Sequence, residues 1–193
     1  MKHYELKDGA VDWFPDFLDS KLADSYFDYC YRWLKWDSGT VKLFGREHLI
    51  PRKQIYFADD GITYGYSGKR LKPSRWDDKV LAIKEKIEAL TGDHYNACLM
   101  NLYRDGNDSN GWHADDEKEL GSCPTIASVS LGVERPFHLK HKATKEKQTF
   151  HLTHGSLLVM RGALQHCWKH QIPKTKRVHS PRVNLTFRKV YET

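Results

Sequence analysis

The chain has 193 residues, of which 39% are hydrophobic and 29% charged, and its formal net charge at pH 7 is +6. This composition is typical of one globular domain with a sizeable core, and no apolar run approaches the ~20 residues that a membrane-spanning helix needs. The segment from Met1 to Asp8 contains no apolar signal region, which argues against secretion, and the positive charge favours an anionic partner such as nucleic acid.

Two helices are predicted in the first half of the chain. The first begins near Asp19 with Ser20 as its cap and ends at residues 37–39, since its apolar residues recur at three- and four-residue spacing. The second has Ser74 as its cap and Gly92 as its end. Its apolar stripe is Trp76, Val80, Ile83, Ile87 and Leu90. A stripe of this kind predicts packing against a sheet.

The rest of the chain is predicted to be strands and turns. Residues 1–18 read as an irregular or short-strand lead-in, and residues 41–68 as short strands or hairpins. Seven later strands are predicted at 95–103, 126–133, 136–142, 148–152, 156–161, 167–171 and 182–190. Many strands with few helices predict an α+β domain, a double-stranded β-helix (jelly roll) with helices on one side. We expect one domain over residues 1–193, with the helices in 1–92 and the jelly-roll core in 93–193.

A loop rich in Asp, Asn and Gly follows the strand at 95–103 and delivers His113 and Asp115. In an extended backbone, residues i and i+2 point to the same side, so an imidazole nitrogen and a carboxylate oxygen can converge on one ion. A second histidine would complete the two-histidine, one-carboxylate triad of non-haem Fe(II) oxygenases. Taken alone, such a pair is more often part of a solvated loop.

The second histidine is sought in the late stretch that contains His166 and His170. Four residues apart, these two could form a helical zinc pair, and with Cys167 nearby a zinc protein is one alternative. In a strand they lie on one face, and spacing does not choose between them. The four cysteines form no Cys-x-x-Cys pair, which favours reduced thiols over a disulfide frame.

The last predicted strand alternates polar and apolar residues. Its two faces are Arg182, Asn184, Thr186 and Arg188 on one side, and Val183, Leu185 and Phe187 on the other. If the arginines face inward they are costly unless paired, and a bound dicarboxylate would pair them through bidentate contacts. The alternative is a solvated strand face.

Together these elements resemble the AlkB family of Fe(II)/2-oxoglutarate dioxygenases in order, spacing and flanking residues over about residues 40–190. The elements are Asn101-x-Tyr103, His113-x-Asp115, His170 and the run from Pro181 to Arg188. That run is especially similar to the AlkB-type DNA demethylases that act on duplexes. The resemblance implies a jelly roll with Fe(II), 2-oxoglutarate as co-substrate and O2.

The resemblance also implies roles for individual residues. It implies three Fe(II) ligands: His113, Asp115 and His170. It implies five co-substrate contacts: Asn101, Tyr103, Arg182, Asn184 and Arg188. Arg188 would pair with the far carboxylate of 2-oxoglutarate, and it joins the three ligands as the predicted catalytic set.

Seven residues are predicted to contact a flipped-out base or its backbone: Phe44, Arg52, Tyr64, Tyr66, Ser67, Asp116 and Glu117. Phe44 lies where duplex-acting members carry an intercalating finger, although a core aromatic is the alternative interpretation. Residues 62–68 resemble the nucleotide-recognition lid of the family, with Tyr66 stacking on the base opposite His113. Arg52 and Lys53, like the basic stretches 140–147 and 174–177, are expected to touch phosphate.

The function predicted from the resemblance is oxidative demethylation of N1-methyladenine and N3-methylcytosine in DNA, with release of formaldehyde, succinate and CO2. Alternatives are an RNA demethylase, a protein hydroxylase on the same scaffold, and a non-catalytic nucleic-acid-binding jelly roll. We expect a monomer that acts on alkylated DNA, duplex rather than single-stranded, or on RNA, with no membrane partner. Its location would be the cytoplasm of a bacterium or the nucleus of a eukaryote.

Overall fold

The computed structural model describes residues 1–43, 46–66 and 69–191, without the side chains of residues 41–43, 46, 64, 66, 69 and 70. Its strands are β1 (Lys2–Leu6), β2 (Gly9–Phe14), β3 (Asp37–Leu43), β4 (Arg46–Ala58), β5 (Tyr64–Tyr66), β6 (Lys69–Leu71), β7 (Ala97–Tyr103), β8 (Asn110–His113), β9 (Ile126–Gly132), β10 (Arg135–His141), β11 (Lys147–Leu152), β12 (Ser156–Arg161), β13 (Trp168–Ile172) and β14 (Arg182–Arg188). Its helices are α1 (Ser20–Trp33), α2 (Asp78–Thr91) and the short α3 (Leu164–Cys167), with a 3-10 turn at Lys118–Leu120.

The described strands form two large antiparallel sheets that face each other. The eight-stranded sheet has the order β1-β2-β12-β9-β14-β7-β4-β3, and the four-stranded sheet the order β11-β10-β13-β8. The strands β5 and β6 form a separate two-stranded hairpin. The helices α1 and α2 pack on the outer face of the eight-stranded sheet. The predicted jelly-roll core with helices on one side is thus confirmed.

Aspartates, not the predicted serines, cap the two long helices. The Asp19 carboxylate accepts a hydrogen bond from the backbone N–H of Leu22, and the Asp77 carboxylate accepts from the N–H groups of Lys79 and Val80. A carboxylate fills the same acceptor role as a hydroxyl and also interacts favourably with the helix dipole. Gly92 ends α2 in a left-handed conformation, φ 73°, as its sequence position predicts. No helix in the described ranges is long and apolar enough to cross a membrane.

The eight-stranded sheet is covered on both faces, so β7 and β14 are buried along their whole length. The apolar residues of β14 pack in the same cluster as Val80, Ile83 and Ile87 of α2. Leu90 is 50% exposed, so the buried stripe of α2 is shorter than predicted. The polar residues of β14 therefore lie on the inner face, between the two sheets, because side chains alternate along a strand.

Strands from the first 60 residues complete the eight-stranded sheet. β2 pairs with β12, where Trp13 lies opposite Leu158, and β4 pairs with β7 over residues 53–58. The sheet therefore extends well outside the predicted core region 93–193. The lead-in predicted as irregular or short-strand is the hairpin β1–β2, whose second strand also pairs with β12.

Candidate active site

The pairing of two strands of the smaller sheet brings His113 and His170 together. His113 of β8 lies directly opposite His170 of β13, and the centroids of their rings are 4.2 Å apart. Asp115 follows β8 by two residues, as the His-x-Asp spacing predicts. One nitrogen or oxygen from each of these three side chains lies within 4.8 Å of the others. The structure thus assembles the predicted triad from two strands and the loop between the sheets.

The imidazole of His113 is held in one tautomer. Its Nδ1 lies 2.7 Å from the carbonyl oxygen of Gly111, and because a carbonyl only accepts, Nδ1 carries the proton. The lone pair of Nε2 therefore points into the cluster, 3.9 Å from Oδ1 of Asp115. The side-chain amide of Asn110 donates to Nε2 at 3.1 Å. This orientation of a histidine by a backbone carbonyl is the usual arrangement at metal sites.

His170 is buried, and its Nδ1 has no hydrogen-bond partner among the described residues. Burial and the neighbouring His113 lower the pKa of His170 to about 3, so its ring is neutral at physiological pH. A buried polar nitrogen without a partner is costly, and a metal ion bound through this nitrogen would remove that cost. The donor set of two neutral imidazoles and one carboxylate fits Fe(II).

Asp115 is the fixed anion of the cluster. Burial by itself would raise its pKa, but the charge of the Arg188 guanidinium outweighs that effect and holds the pKa below its usual range. The Arg188 guanidinium donates twice to Oδ2 of Asp115, from Nη2 at 2.6 Å and from Nε at 3.1 Å. Gln165 accepts the backbone N–H of Asp115. Asp115 is therefore ionised and oriented with Oδ1 towards His113.

A cavity of about 400 Å³ opens beside the triad, between the two sheets. All five predicted co-substrate residues line it: Asn101, Tyr103, Arg182, Asn184 and Arg188. The Asn101 amide oxygen accepts a hydrogen bond from Nε of Arg52 at 2.8 Å. The Nδ2 donor of Asn101 points away from Arg52. The Asn184 amide nitrogen donates to Ser128 and to the carbonyl of Val129. Both of its donors are therefore used in contacts with β9, which forms one wall of the cavity.

The two arginines of β14 have different partners, and this changes their predicted roles. Arg188 is committed to Asp115, so it is poorly placed for the far carboxylate of 2-oxoglutarate that the resemblance assigned to it. Arg182 is 1% exposed and donates from Nη2 to Ser130, whereas its Nε and Nη1 have no partner in the described part of the chain. Its guanidinium lies 5.3 Å from the centroid of the Tyr103 ring. A buried cation with two free donors is the group that a carboxylate would satisfy.

The predicted substrate contacts are only partly gathered at the cavity. Glu117 lines it, as does Arg52. Arg52 is, however, buried and bonded to Asn101 and to the carbonyl of Ser109, so it is not available to a phosphate on the surface. Asp116 lies outside and forms an ion pair with Lys142 at 3.0 Å, because successive side chains of the extended segment point in opposite directions. Its predicted substrate contact is not supported.

The remaining predictions concern the finger and the lid. Phe44 and Ser67 lie outside the described residues, and so do the side chains of Tyr64 and Tyr66. The backbone of the lid region pairs as a hairpin between β5 and β6. These four predictions stay predictions.

The structure decides between the two late histidines. His166 lies on α3 with its Nε2 bonded to the backbone carbonyl of Ser122, away from the triad. Among the described residues, Cys167 groups with Asp8 and His141 rather than with His166 and His170, which contradicts the zinc alternative. That second group is itself poorly suited to a metal. Nδ1 of His141 accepts hydrogen bonds from two backbone N–H groups, so the ring proton is on Nε2, which donates a hydrogen bond to the Asp8 carboxylate. Neither ring nitrogen then has a lone pair free for a metal ion.

The sequence analysis missed several residues that shape this site. Ser128 and Ser130 of β9 support Asn184 and Arg182, and the alternation Ser-x-Ser on a buried strand was the signal for them. Arg135 is fully buried and donates to the backbone carbonyls of Asp105, Asp108 and Pro173, tying the loops at both ends of the site together. No local pattern marks an arginine that binds carbonyl groups from distant loops.

Comparison with known proteins gives a consistent result. The family model described as the 2OG-Fe(II) oxygenase superfamily matches residues 10–188. The protein called DNA oxidative demethylase ALKBH2 is 38% identical in Bos taurus over 182 residues (89% of this chain, 66% of that protein) and 39% in Homo sapiens over 182 residues (89% and 70%). The bovine "Alpha-ketoglutarate-dependent dioxygenase alkB homolog 3" is 38% identical over 187 residues (92% and 65%). The chain thus spans about two thirds of the length of these relatives.

Solved structures agree on the fold. The structure of OsALKBH1 superposes with a TM-score of 0.63 at 18% identity, covering 96% of this chain and all of that one. A 2OG-Fe(II) oxygenase family oxidoreductase from Burkholderia pseudomallei gives a TM-score of 0.62 at 15% identity over 92% of this chain and 84% of that one.

Proposed function

The chain belongs to the AlkB family within the 2OG-Fe(II) oxygenase superfamily, and from that membership we propose that it removes alkyl groups oxidatively from bases in DNA. The family requires Fe(II), 2-oxoglutarate and O2. The single observation that carries the proposal is the meeting, in one cavity, of a metal-ligating triad and a buried guanidinium with free donors. A protein that only binds nucleic acid requires neither a metal-ligating triad nor a buried guanidinium with free donors.

His113, Asp115 and His170 would hold Fe(II), and Arg182 would pair with the far carboxylate of 2-oxoglutarate. Asn101 and Tyr103 would donate hydrogen bonds to the co-substrate, while Arg188 keeps Asp115 ionised and in place. When bound, the iron supplies the oxidation of a substrate C–H bond by O2, coupled to the conversion of 2-oxoglutarate to succinate and CO2. The protein's own part is to bind, orient and shield these reactants.

We propose N1-methyladenine and N3-methylcytosine as the substrates. Hydroxylation of a methyl group on a ring nitrogen gives a hemiaminal, and breaking its C–N bond releases formaldehyde and restores the base. Such a base is accessible only after it is flipped out of the duplex into a pocket. The names of the relatives at 38 and 39% identity, which include "DNA oxidative demethylase", support this class of substrate.

A lysine row on the outer face of the smaller sheet supports a duplex substrate. Lys140 lies directly opposite Lys147 on one neighbouring strand and opposite Lys169 on the other. No carboxylate of the described residues forms an ion pair with any of the three. Like charges placed opposite each other destabilise a sheet, so a stretch of phosphates is the kind of partner that would offset their repulsion.

The proposal is tested with purified protein, Fe(II), 2-oxoglutarate, ascorbate and oligonucleotides that carry one methylated base. Formaldehyde release and the mass of the base are followed on double-stranded DNA, single-stranded DNA and RNA of the same sequence. We expect turnover on DNA. Absence of repair on every methylated DNA, by protein that is folded and binds iron, would refute the proposal. Turnover confined to RNA would favour the RNA demethylase, and uncoupled 2-oxoglutarate turnover alone would point to another substrate class such as protein.

A further inference from the structure

Among the described residues, Trp112 combines two properties that no other large hydrophobic side chain shares. It is 43% exposed, and it lines the cavity. The other exposed large apolar side chains of the described residues, such as Trp33 and Leu49, do not line it. Single exposed apolar residues are normal on protein surfaces. An indole at the mouth of an active-site cavity, next to a metal ligand, is in a position to meet the substrate.

The backbone that carries this indole is fixed on both sides. Gly111 before it accepts the hydrogen bond from Nδ1 of His113, and His113 after it pairs in register with His170. β8 is also the last strand of its sheet, so its outer side is open. Within the described part of the chain the indole N–H makes no hydrogen bond and the ring no aromatic contact. The position of Trp112 is therefore set by the same contacts that set the metal ligand, while its ring is left without a partner.

We propose that Trp112 stacks on the base next to the one being repaired when the substrate is single-stranded. This inference rests on the proposed function. A nucleotide bound in the cavity is joined to its neighbour through one phosphodiester, so the neighbouring base lies at the mouth, within reach of the indole. Every base presents a flat π-face, and stacking on tryptophan is how proteins bind single strands without sequence preference.

The same geometry predicts that Trp112 affects single-stranded and duplex substrates differently. In a duplex the neighbouring base stays paired and stacked within the helix, so it gains little from the indole. In a single strand it has no competing partner. Trp112 therefore determines how well single strands are used, DNA and RNA alike, and contributes much less to duplex repair.

The test compares W112A, W112F and the matched control W33A, whose indole is 72% exposed on α1 and away from the cavity. Two quantities are measured: KM for demethylation, and the dissociation constant of unmethylated fluorescent oligonucleotides by anisotropy. Single-stranded DNA, single-stranded RNA and duplex DNA are each used. We expect W112A to raise both quantities on single strands by about tenfold and on duplex by less than about twofold. W112F, which keeps an aromatic face, should recover most of the loss, and W33A should match the wild type.

Equal behaviour of W112A and W33A on single strands would overturn the inference, and so would an equal loss on single strands and duplex. Melting temperatures establish that W112A is folded. Failure of the proposed function has a different signature, because wild-type protein would then release no formaldehyde from any oligonucleotide whatever the effect of W112A on binding. A wild type that binds no oligonucleotide would refute both.

Discussion

The deep end of the cavity and its mouth are built in opposite ways. The side chains at the deep end are each at most 5% exposed: Asp115, His170, Arg182 and Arg188. The charged groups among them either form an ion pair or have donors that a ligand of opposite charge would satisfy. At the mouth Trp112 is 43% exposed and makes no polar contact with described residues. The groups at the deep end are therefore held by contacts inside the protein, whereas Trp112 at the mouth is free to contact a bound substrate, as we propose.

The largest expected effect tests the deep end. Replacing Asp115 with alanine removes one metal ligand and leaves Arg188 buried without its anion. We expect turnover to fall by at least about 10³-fold, a change of about 4 kcal/mol in the barrier, and iron binding to be lost. The measurements are formaldehyde release and titration with Fe(II).

The matched control for that variant is D116A, one position further along and paired with Lys142 on the surface. We expect it to retain activity within a few-fold. A comparable loss in both variants would mean that the loop, not the ligand, had been damaged.

The second prediction separates the two arginines of β14. R182M should raise the KM for 2-oxoglutarate by about 30- to 150-fold, equivalent to about 2–3 kcal/mol, because it removes the partner of a buried carboxylate. R188M should instead weaken Fe(II) binding or activity by about 10- to 100-fold through the loss of support for Asp115. If R188M raised the KM for 2-oxoglutarate as much as R182M, the original assignment of the far carboxylate to Arg188 would be restored.

A third prediction concerns the mouth. If Phe44 is an intercalating wedge, F44A should lower repair of duplex DNA by about tenfold and leave single strands nearly unchanged, since only a duplex has a stack to fill. This is the reverse of the pattern expected for W112A. The two variants measured together therefore test whether Phe44 serves duplex substrates and Trp112 serves single strands. A loss of the same size on both kinds of substrate would place Phe44 in the core instead.

The smallest expected effect lies on the lysine row. K140Q should weaken duplex binding about two- to threefold and reduce the slope of log affinity against log salt by about 1. It should also raise the free energy of unfolding by a few tenths of a kcal/mol, because Lys140 faces two other lysines. The control is K84Q, whose ammonium pairs with Glu88 on α2. An unchanged salt slope would remove the row from the DNA interface.

Much of the fold was predictable because its signals are local. The apolar spacing of α2, the glycine that ends it and the alternation along β14 each express a contact pattern that repeats every few residues. The hairpin β1–β2 was not predictable in the same way. Its strands are short, and β2 pairs with β12, which lies more than 140 residues further along the chain.

The functional site likewise has features that the local sequence predicts and features that depend on the tertiary structure. The chain by itself determined that His113 and Asp115 converge, since two residues of extended backbone suffice for that, and that two arginines share one face of a strand. Spacing did not choose between His166 and His170, and it was the family resemblance that implied His170. The tertiary structure places His170, not His166, opposite His113 through the register of β13 against β8. It also decided that Arg188 binds Asp115 and that Arg182 keeps free donors. Partners of buried charges are set by distances between strands that are far apart in sequence, and no local pattern encodes those distances.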